Sequence, residues 1–560
     1  MTHHEAAVPG PRGWSLRRHL GLFAAIALTL ACLLARDLAN DQRVRRFDRH
    51  HLPGFDPYVY AAMAEDPAFF TVAPWGYRVL SPWLVYTSGA EVVPGFRRLS
   101  LIGLGVAGPL LFLFLRRQGA SERLCLLATG LFFFSPPVDE VFRNFFLAEP
   151  VGLPLLLLAL LALEAKADDG RTAALGFAAA LALGALTKEV FIVYLPGLLA
   201  AAFVRFGLGR GLARTGPGAL TALFVHFCLR QWWAPYPSAS GPGWPSLDQL
   251  GAAASRILGA ASDWWAPLFA CGFPLAVVAV ALPEGGRLLA RYGVLLALTV
   301  ALPFAAGIYT GGSFPADHFY TDDVPRLLIY AMPMLLALAL VALQRLVDGL
   351  GREPGTDHAP APNGFKDALT VASVLALGAA VALPLTSLDR YRRADLRGRT
   401  DGPFVLAFCR DSRAFARRLA SGRPVVYDPV GRRFKAGRSD PRHMERMRWF
   451  LREGWGERPE YGMEEVTMEA TSATLVVPVI DVRDLVLTVD LRAPRPVAVR
   501  LSMNGLPLGE LMAGPEPVRQ RLSAPRASLF RGDNRLTFEA SPGPASRVSL
   551  WLLNLRQAQP

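Results

Sequence analysis

Long apolar runs recur along most of the chain and set the solvent it can fold in. The first is Leu20 to Ala35, behind Arg12, Arg17 and Arg18. Others follow at Leu99 to Leu115, Leu124 to Val138, Phe145 to Leu163, Ala173 to Leu186, Val190 to Val204, Ala219 to Leu229, Ala266 to Leu282, Gly293 to Ile308, Leu327 to Leu343 and Ala368 to Leu385. Crossing roughly 30 Å of hydrocarbon takes about 20 apolar residues, so these runs predict about eleven transmembrane helices, the shorter ones as tilted pairs or re-entrant pieces. With 52% hydrophobic and 19% charged residues, a wholly soluble chain is excluded. The first run has the basic start of a signal peptide, but Leu-Ala-Arg-Asp follows instead of a small-residue cleavage site, so it reads as an uncleaved anchor.

Cations in short loops mark the inner side of a membrane. Basic loops at Arg116 to Arg123, Lys166 to Arg171, Arg205 to Arg214, Arg287 to Arg291 and Arg345 to Lys366 alternate with loops that are poor in cations. This places the N-terminus (1–18) in the cytoplasm, a multi-pass module at 19–388 in the inner membrane and a first outer loop at 36–98. That loop is itself rich in Arg, near the length at which the rule loses force. The formal charge of +13 comes almost entirely from Arg, which suits anionic lipid or a phosphate-bearing ligand, and no nucleic-acid partner is expected. Five cysteines, four of them in or beside apolar runs, offer neither a disulfide framework nor a Cys-ligated zinc site.

Beyond about Asp389 no run is apolar enough to cross a membrane, and the remainder reads as exoplasmic: a mixed α/β linker region at 389–470 and a β-sandwich at 471–560. Alternating segments at Ala473 to Ile480, Leu485 to Leu491, Pro496 to Met503, Val518 to Leu522, Arg535 to Ala540 and Val548 to Leu555, with turns at Asn504-Gly505 and Gly532-Asp533-Asn534, predict a jelly roll.

Ionisable residues collect on the predicted outer face. The first outer loop carries Asp56, Tyr60, Met63 and Ala64 in a D-x-x-x-Y-x-x-M-A pattern, followed by Gly76-Tyr77-Arg78-Val79-Leu80-Ser81-Pro82. Further along stand Ala148-Glu149-Pro150, Thr187-Lys188-Glu189 and Asp322-Asp323-Val324-Pro325-Arg326. Together these resemble bacterial integral-membrane glycosyltransferases of the GT-C superfamily, over roughly residues 15 to 390. The resemblance implies an exoplasmic enzyme that takes a sugar from a polyprenyl-phosphate or polyprenyl-diphosphate donor and passes it to an envelope glycan, lipid or protein acceptor, with inversion.

In that superfamily a first-loop acid is the base, since the acceptor hydroxyl must lose its proton as it attacks the anomeric carbon. The resemblance carries this role to Asp56, with Asp37 the rival. It carries donor-phosphate binding to Tyr77 and Arg78, with Tyr60 beside them in the motif and with Lys188 and Arg326, and makes Glu149 and Glu189 supporting or metal-facing carboxylates. A divalent metal stays open. Each residue also has a plainer reading. Asp56 before Pro57 suits a helix N-cap, Arg78 can reach to headgroups, Lys188-Glu189 suits an exposed ion pair on a turn, and the run from Asp317 to Asp323, with metal-ligand types, suits a solvated loop. The rival functions are a transporter or flippase of lipid-linked glycans, which needs polar groups through the membrane, and an envelope assembly scaffold. A reporter fused after Pro560 should behave as exoplasmic; a cytoplasmic signal would overturn the placement of every residue named above.

Overall fold

A computed structural model describes residues 16–44, 56–65, 67, 75–165, 170–232, 247–259, 268, 272–313, 326–350, 415–427, 450–451, 454–456, 466–516, 518–541 and 547–557. The chain divides into two units, one of Met1–His51, Val93–Trp232 and Pro242–Arg397, the other of Leu52–Val92, Trp233–Gly241 and Gly398–Pro560. The run at 368–385, predicted as the last span, and the loop at 317–323 lie outside the described residues.

The first unit is helical. Its helices are α1 (Leu16–Val44), then, beyond α2 and α3 of the second unit, α4 (Val92–Arg117), α5 (Glu122–Phe134), α6 (Pro136–Arg143), α7 (Glu149–Leu163), α8 (Gly170–Thr187), α9 (Val190–Phe206), α10 (Leu208–Trp232), α11 (Leu247–Gly259), α12 (Phe273–Val280), α13 (Pro283–Ser313) and α14 (Met332–Leu350). By length and composition, Val92–Arg117 and Pro283–Ala306 can each cross a membrane, and a third crossing arises if the pair α5 and α6 is one bent span. Four apolar helices are shorter: Leu20–Arg36, Glu149–Leu163, Arg171–Thr187 and Val190–Phe206. The run predicted as one span at Leu124 to Val138 is instead bent by 51°. Pro136 and Pro137 cause the break: a residue before proline is pushed out of the helical region, and Ser135 adopts φ −72°, ψ 152°.

Helix α7 lies at the centre of the packing. Apolar nearly all round its length, it has no face suited to water, and it is buried at Glu149, Pro150, Gly152 to Leu157, Ala159, Leu160 and Leu163. It packs on α8, which packs on α10, while α9 packs on α10 and α13. Close approach depends on missing side chains. A Cβ on Gly103 of α4 would overlap the carbonyl oxygen of Pro150, and one on Gly152 would overlap the Tyr330 hydroxyl. The outward faces are apolar too. Leu20, Phe23, Ile26, Leu30 and Leu34 are exposed along α1, as are Leu220, Leu223, Phe224 and Phe227 on α10 and Val277, Val278 and Val280 on α12. Continuous exposed apolar surface of this kind marks a surface built for an apolar surrounding.

In the second unit, α2 (Asp56–Glu65) is followed by a 3-10 turn at Trp75–Tyr77 and by α3 (Leu80–Thr87). Two antiparallel sheets are built from β1 (Val425–Tyr427), β2 (Val466–Thr467), β3 (Ser472–Val479), β4 (Leu485–Arg492), β5 (Val497–Met503), β6 (Leu506–Ala513), β7 (Val518–Ala524), β8 (Gly532–Ala540) and β9 (Ser549–Gln557). One sheet runs β1-β9-β4-β7, with β2 also on β9, and the other runs β3-β8-β5-β6. Alternate residues point inward: Leu485, Leu487, Val489 and Leu491 of β4 and Leu553 and Leu555 of β9 are buried, as are Leu501, Met503, Leu536 and Phe538 of the other sheet.

The hairpin between β5 and β6 turns at Asn504 (φ 53°) and Gly505 (φ 84°), the left-handed pair that suits the twist of two strands. Asn504 donates from Nδ2 to Ser528 O and to Asn534 Oδ1, each at 2.8 Å, and accepts from Arg535 N. Asn534, fully buried, donates in turn to Val477 O, Phe530 O and Gly532 O.

Gly103→Ala should cost about 1–3 kcal/mol by overpacking. Gly176→Ala, whose Cβ meets nothing within 4 Å, should leave stability unchanged or slightly higher. Unfolding of both variants in detergent, compared with the parent chain, checks this.

Candidate functional site

Three residues far apart in sequence meet at the N-terminal end of α7. Glu149 opens the helix with Pro150 behind it, after a turn at 144–148. Lys188 sits in the two-residue break between α8 and α9, and Arg326 leads into a 3-10 turn at Leu328–Tyr330. Lys188 Nζ lies 2.5 Å from Glu149 Oε1, and Arg326 Nε lies 3.5 Å from the same oxygen. Side-chain exposure is 1% for Glu149, 4% for Lys188 and 14% for Arg326, so water does little to screen the group. One carboxylate faces two cations at a helix N-terminus, where the backbone dipole is positive as well. An anion is the ligand such a place favours.

Aromatic rings wall the group. Tyr194 of α9 stands edge-on to Tyr330, ring centres 5.7 Å apart, and Phe191 meets Tyr330 in the same way at 6.2 Å. The buried Tyr194 hydroxyl has no hydrogen-bond partner among the described residues. A buried hydroxyl usually finds a partner, so this one is available to a ligand oxygen beside the cations.

Glu189 is half-buried and does not pair with Lys188: the lysine is turned inward to Glu149, so the exposed Lys188-Glu189 pair expected as the plainer reading is not what forms. In the second unit, Arg78 donates from Nη1 to the Tyr60 hydroxyl at 3.0 Å, both residues buried. Tyr77 ends the preceding 3-10 turn, half-buried. Asp37 falls within α1 and Asp56 begins α2, but their side chains lie outside the described residues.

Two further ionic groups in the first unit escaped the sequence reading. Arg36 of α1 pairs through Nη1 with Asp139 of α6, donates from Nε to Phe133 O at 3.0 Å and lies over the Phe134 ring. At the other end of α7, the buried Glu164 side chain is held by Arg205, Arg291 and the Tyr292 hydroxyl. Arg117 and Arg214 there donate to the carbonyls of Leu161, Ala162 and Ala165, as cations do at a helix C-terminus. Only the acid pair Asp139-Glu140 after Pro136-Pro137, interrupting an apolar stretch, signalled the first group in advance.

Among the described residues no group of three His, Cys, Asp or Glu side chains comes together. Glu149 does not fit a divalent cation, because two cationic side chains already surround its oxygen. Comparison with protein-family models and with curated protein sequences finds no match for the chain.

Removing one partner of a buried ion pair leaves the other charge stranded. Lys188→Met should therefore destabilise the helical unit by about 3–5 kcal/mol, and Glu149→Gln added to it should restore part of the loss. Chemical unfolding of the single and double variants in detergent measures both.

Proposed function

We propose that the chain is a membrane-embedded glycosyltransferase of the GT-C type, moving a sugar from a polyprenyl-phosphate or polyprenyl-diphosphate carrier to an envelope glycan, lipid or protein acceptor. The observation that carries this reading is the meeting of Glu149, Lys188 and Arg326 in a dry, aromatic-walled place at a helix N-terminus. Glycosyl transfer from such a carrier builds negative charge on the departing lipid phosphate. Fixed cations in a water-poor site stabilise that charge at little reorganisation cost. In this reading Lys188 and Arg326 face the phosphate, Glu149 keeps the two cations in place, and the Tyr194 hydroxyl donates to a phosphate oxygen.

The base rests on the resemblance. Asp56, or Asp37 in its stead, takes the proton of the attacking hydroxyl, and direct displacement inverts the anomeric centre without a second carboxylate as nucleophile. Arg78, paired with Tyr60, is a further phosphate contact on the same grounds. No step is assigned to a metal.

The exposed apolar faces of α1, α10 and α12 support a lipid setting. The orientation, with N-terminus inside and C-terminal sheets outside, rests on the loop charges, and the bacterial inner membrane rests on the resemblance. Eleven spans in this reading would include short and broken pieces, tolerated at membrane depth where protein covers them. The strand orders β2-β9-β4-β7 and β3-β8-β5-β6 support a jelly roll, an eight-stranded double Greek key.

The test is transfer of labelled sugar from a panel of polyprenyl-linked donors to membrane-extracted glycan, at matched expression. Loss of the general base should lower the rate about 10²–10⁴-fold in either Asp56→Asn or Asp37→Asn. Arg326→Gln should lower it about 10²–10³-fold. Donor-dependent transfer that survives all three substitutions would overturn the mechanism, and absence of transfer from every donor would count against an enzyme.

A further inference from the structure

A second candidate site lies on the outward face of the β1-β9-β4-β7 sheet. An open hollow of about 400 Å³ is lined by Pro424, Val486, Thr488, Arg519, Arg521, Asn554 and Arg556. Strand register explains why these side chains meet. Thr488 of β4 stands opposite Arg521 of β7 and Asn554 of β9, and Val486 stands opposite Arg556. One register step further, Asp490 stands opposite Arg519. Leu485, Leu487 and Val489 of β4 and Leu553 and Leu555 of β9 turn to the core, so the alternation of the sheet leaves Thr488, Arg521, Asn554 and Arg556 on the outward face beside Val486.

The charges are unequal. Arg519 is committed to Asp490, with Nη2 at 3.1 Å and Nε at 3.3 Å from its two oxygens. Arg521 and Arg556 have no ion-pair partner among the described residues. Beside them, Asn554 Oδ1 is a buried acceptor without a hydrogen-bond donor among the described residues. The hollow therefore asks for two chemistries at once: anionic oxygens for the guanidinium groups, and a hydroxyl or similar donor for Asn554.

A bare phosphate ion fills little of a hollow of about 400 Å³, and a phosphoglycerol headgroup, which carries both chemistries, is the competitor that the vesicles in the test below separate. Single-stranded nucleic acid needs aromatic platforms, and no aromatic residue lines the hollow. Peptides are commonly taken up at a sheet edge or in an apolar groove, and this is a polar sheet face. A sugar bearing a carboxylate or phosphate has both chemistries on one ring.

We propose that this hollow binds an acidic oligosaccharide, with Arg521 and Arg556 taking its anionic groups and Thr488 and Asn554 its hydroxyls. The volume lies within the range of ordinary small-ligand sites, about 300–1,000 Å³. Binding here does not depend on whether the helical unit transfers sugar, so the two readings fail separately.

The experiment is equilibrium binding of the full chain in nanodiscs of zwitterionic lipid. Its probes are a short oligogalacturonate, a phosphorylated mannose oligosaccharide, a neutral maltooligosaccharide of matched length, polyglutamate and phosphatidylglycerol vesicles. One of the two acidic sugars should bind in preference to the other three, more weakly as salt rises. Arg521→Gln with Arg556→Gln should weaken it about tenfold or more. Asn554→Asp, which keeps the shape and adds a negative charge, should weaken it as well. The two arginines are exposed, so that variant should keep the parent's thermal unfolding. The proposal is overturned if neither acidic sugar binds, if the neutral sugar binds as well, if polyglutamate or vesicles bind as tightly, or if the double arginine variant folds and binds unchanged.

Discussion

Helix α7 can be buried on nearly every side because the charge at both its ends is satisfied. A helix presents positive potential where it starts and negative potential where it stops, and interior burial would leave both unscreened. Glu149 meets the first, and Arg117, Arg205, Arg214 and Arg291, gathered round Glu164, meet the second. The two acids are 15 positions apart in the sequence, a rise of about 22 Å. Helix α8 packs along this rod, and α10 packs on α8 in turn. What differs between the ends is the wall: rings of Tyr194, Tyr330 and Phe191 at one, direct arginine contacts to backbone carbonyls at the other. The second end is occupied with closing the helix, and the first retains the Tyr194 hydroxyl, without a hydrogen-bond partner among the described residues.

Much of this was legible as a list of residues and little as an arrangement. Glu149, Lys188 and Arg326 could be singled out because a charged side chain amid apolar sequence is expensive. Their meeting could not be foreseen, since the partner of Lys188 lies 39 residues away and its neighbour Glu189 offered a simpler match. Asp139 is hard to single out because it follows directly on an apolar run, which Pro136-Pro137 breaks to begin a new helix in which the acid turns to Arg36. Helix lengths were the least legible quantity. Apolar content says that a segment avoids water, and only tertiary packing decides whether it is a long span or a short piece covered by protein.

The C-terminal strands were easier for a physical reason. A sheet with one face on a core and one face in water writes its register into the sequence as alternation. Strands β3, β4, β5, β7, β8 and β9 each fall on a segment that alternates, and the Asn504-Gly505 turn falls where expected. Strand β6 lacked that signature. It is an edge strand with Pro507 and Gly509 in it, and it buries only Leu511 and Ala513. Strand β1 falls on the short apolar signal Val425-Val426-Tyr427, whereas β2 is too short to carry any pattern; both pair with β9.

The same Asn504-Gly505 turn sets a chemical lifetime for the sheet. Asparagine before glycine is the peptide sequence most open to deamidation, because nothing beyond a hydrogen hinders attack of the next backbone nitrogen on the side-chain amide. Here both ends of that amide are occupied, Nδ2 by Ser528 O and Asn534 Oδ1 and Oδ1 by Arg535 N, which holds it away from the cyclising geometry. Were it converted, an aspartate would set acceptor against acceptor at Ser528 and Asn534, and the latch between the hairpin and the 526–534 segment would become a repulsion. The hydrogen bonds that define the turn are thus also its protection against ageing.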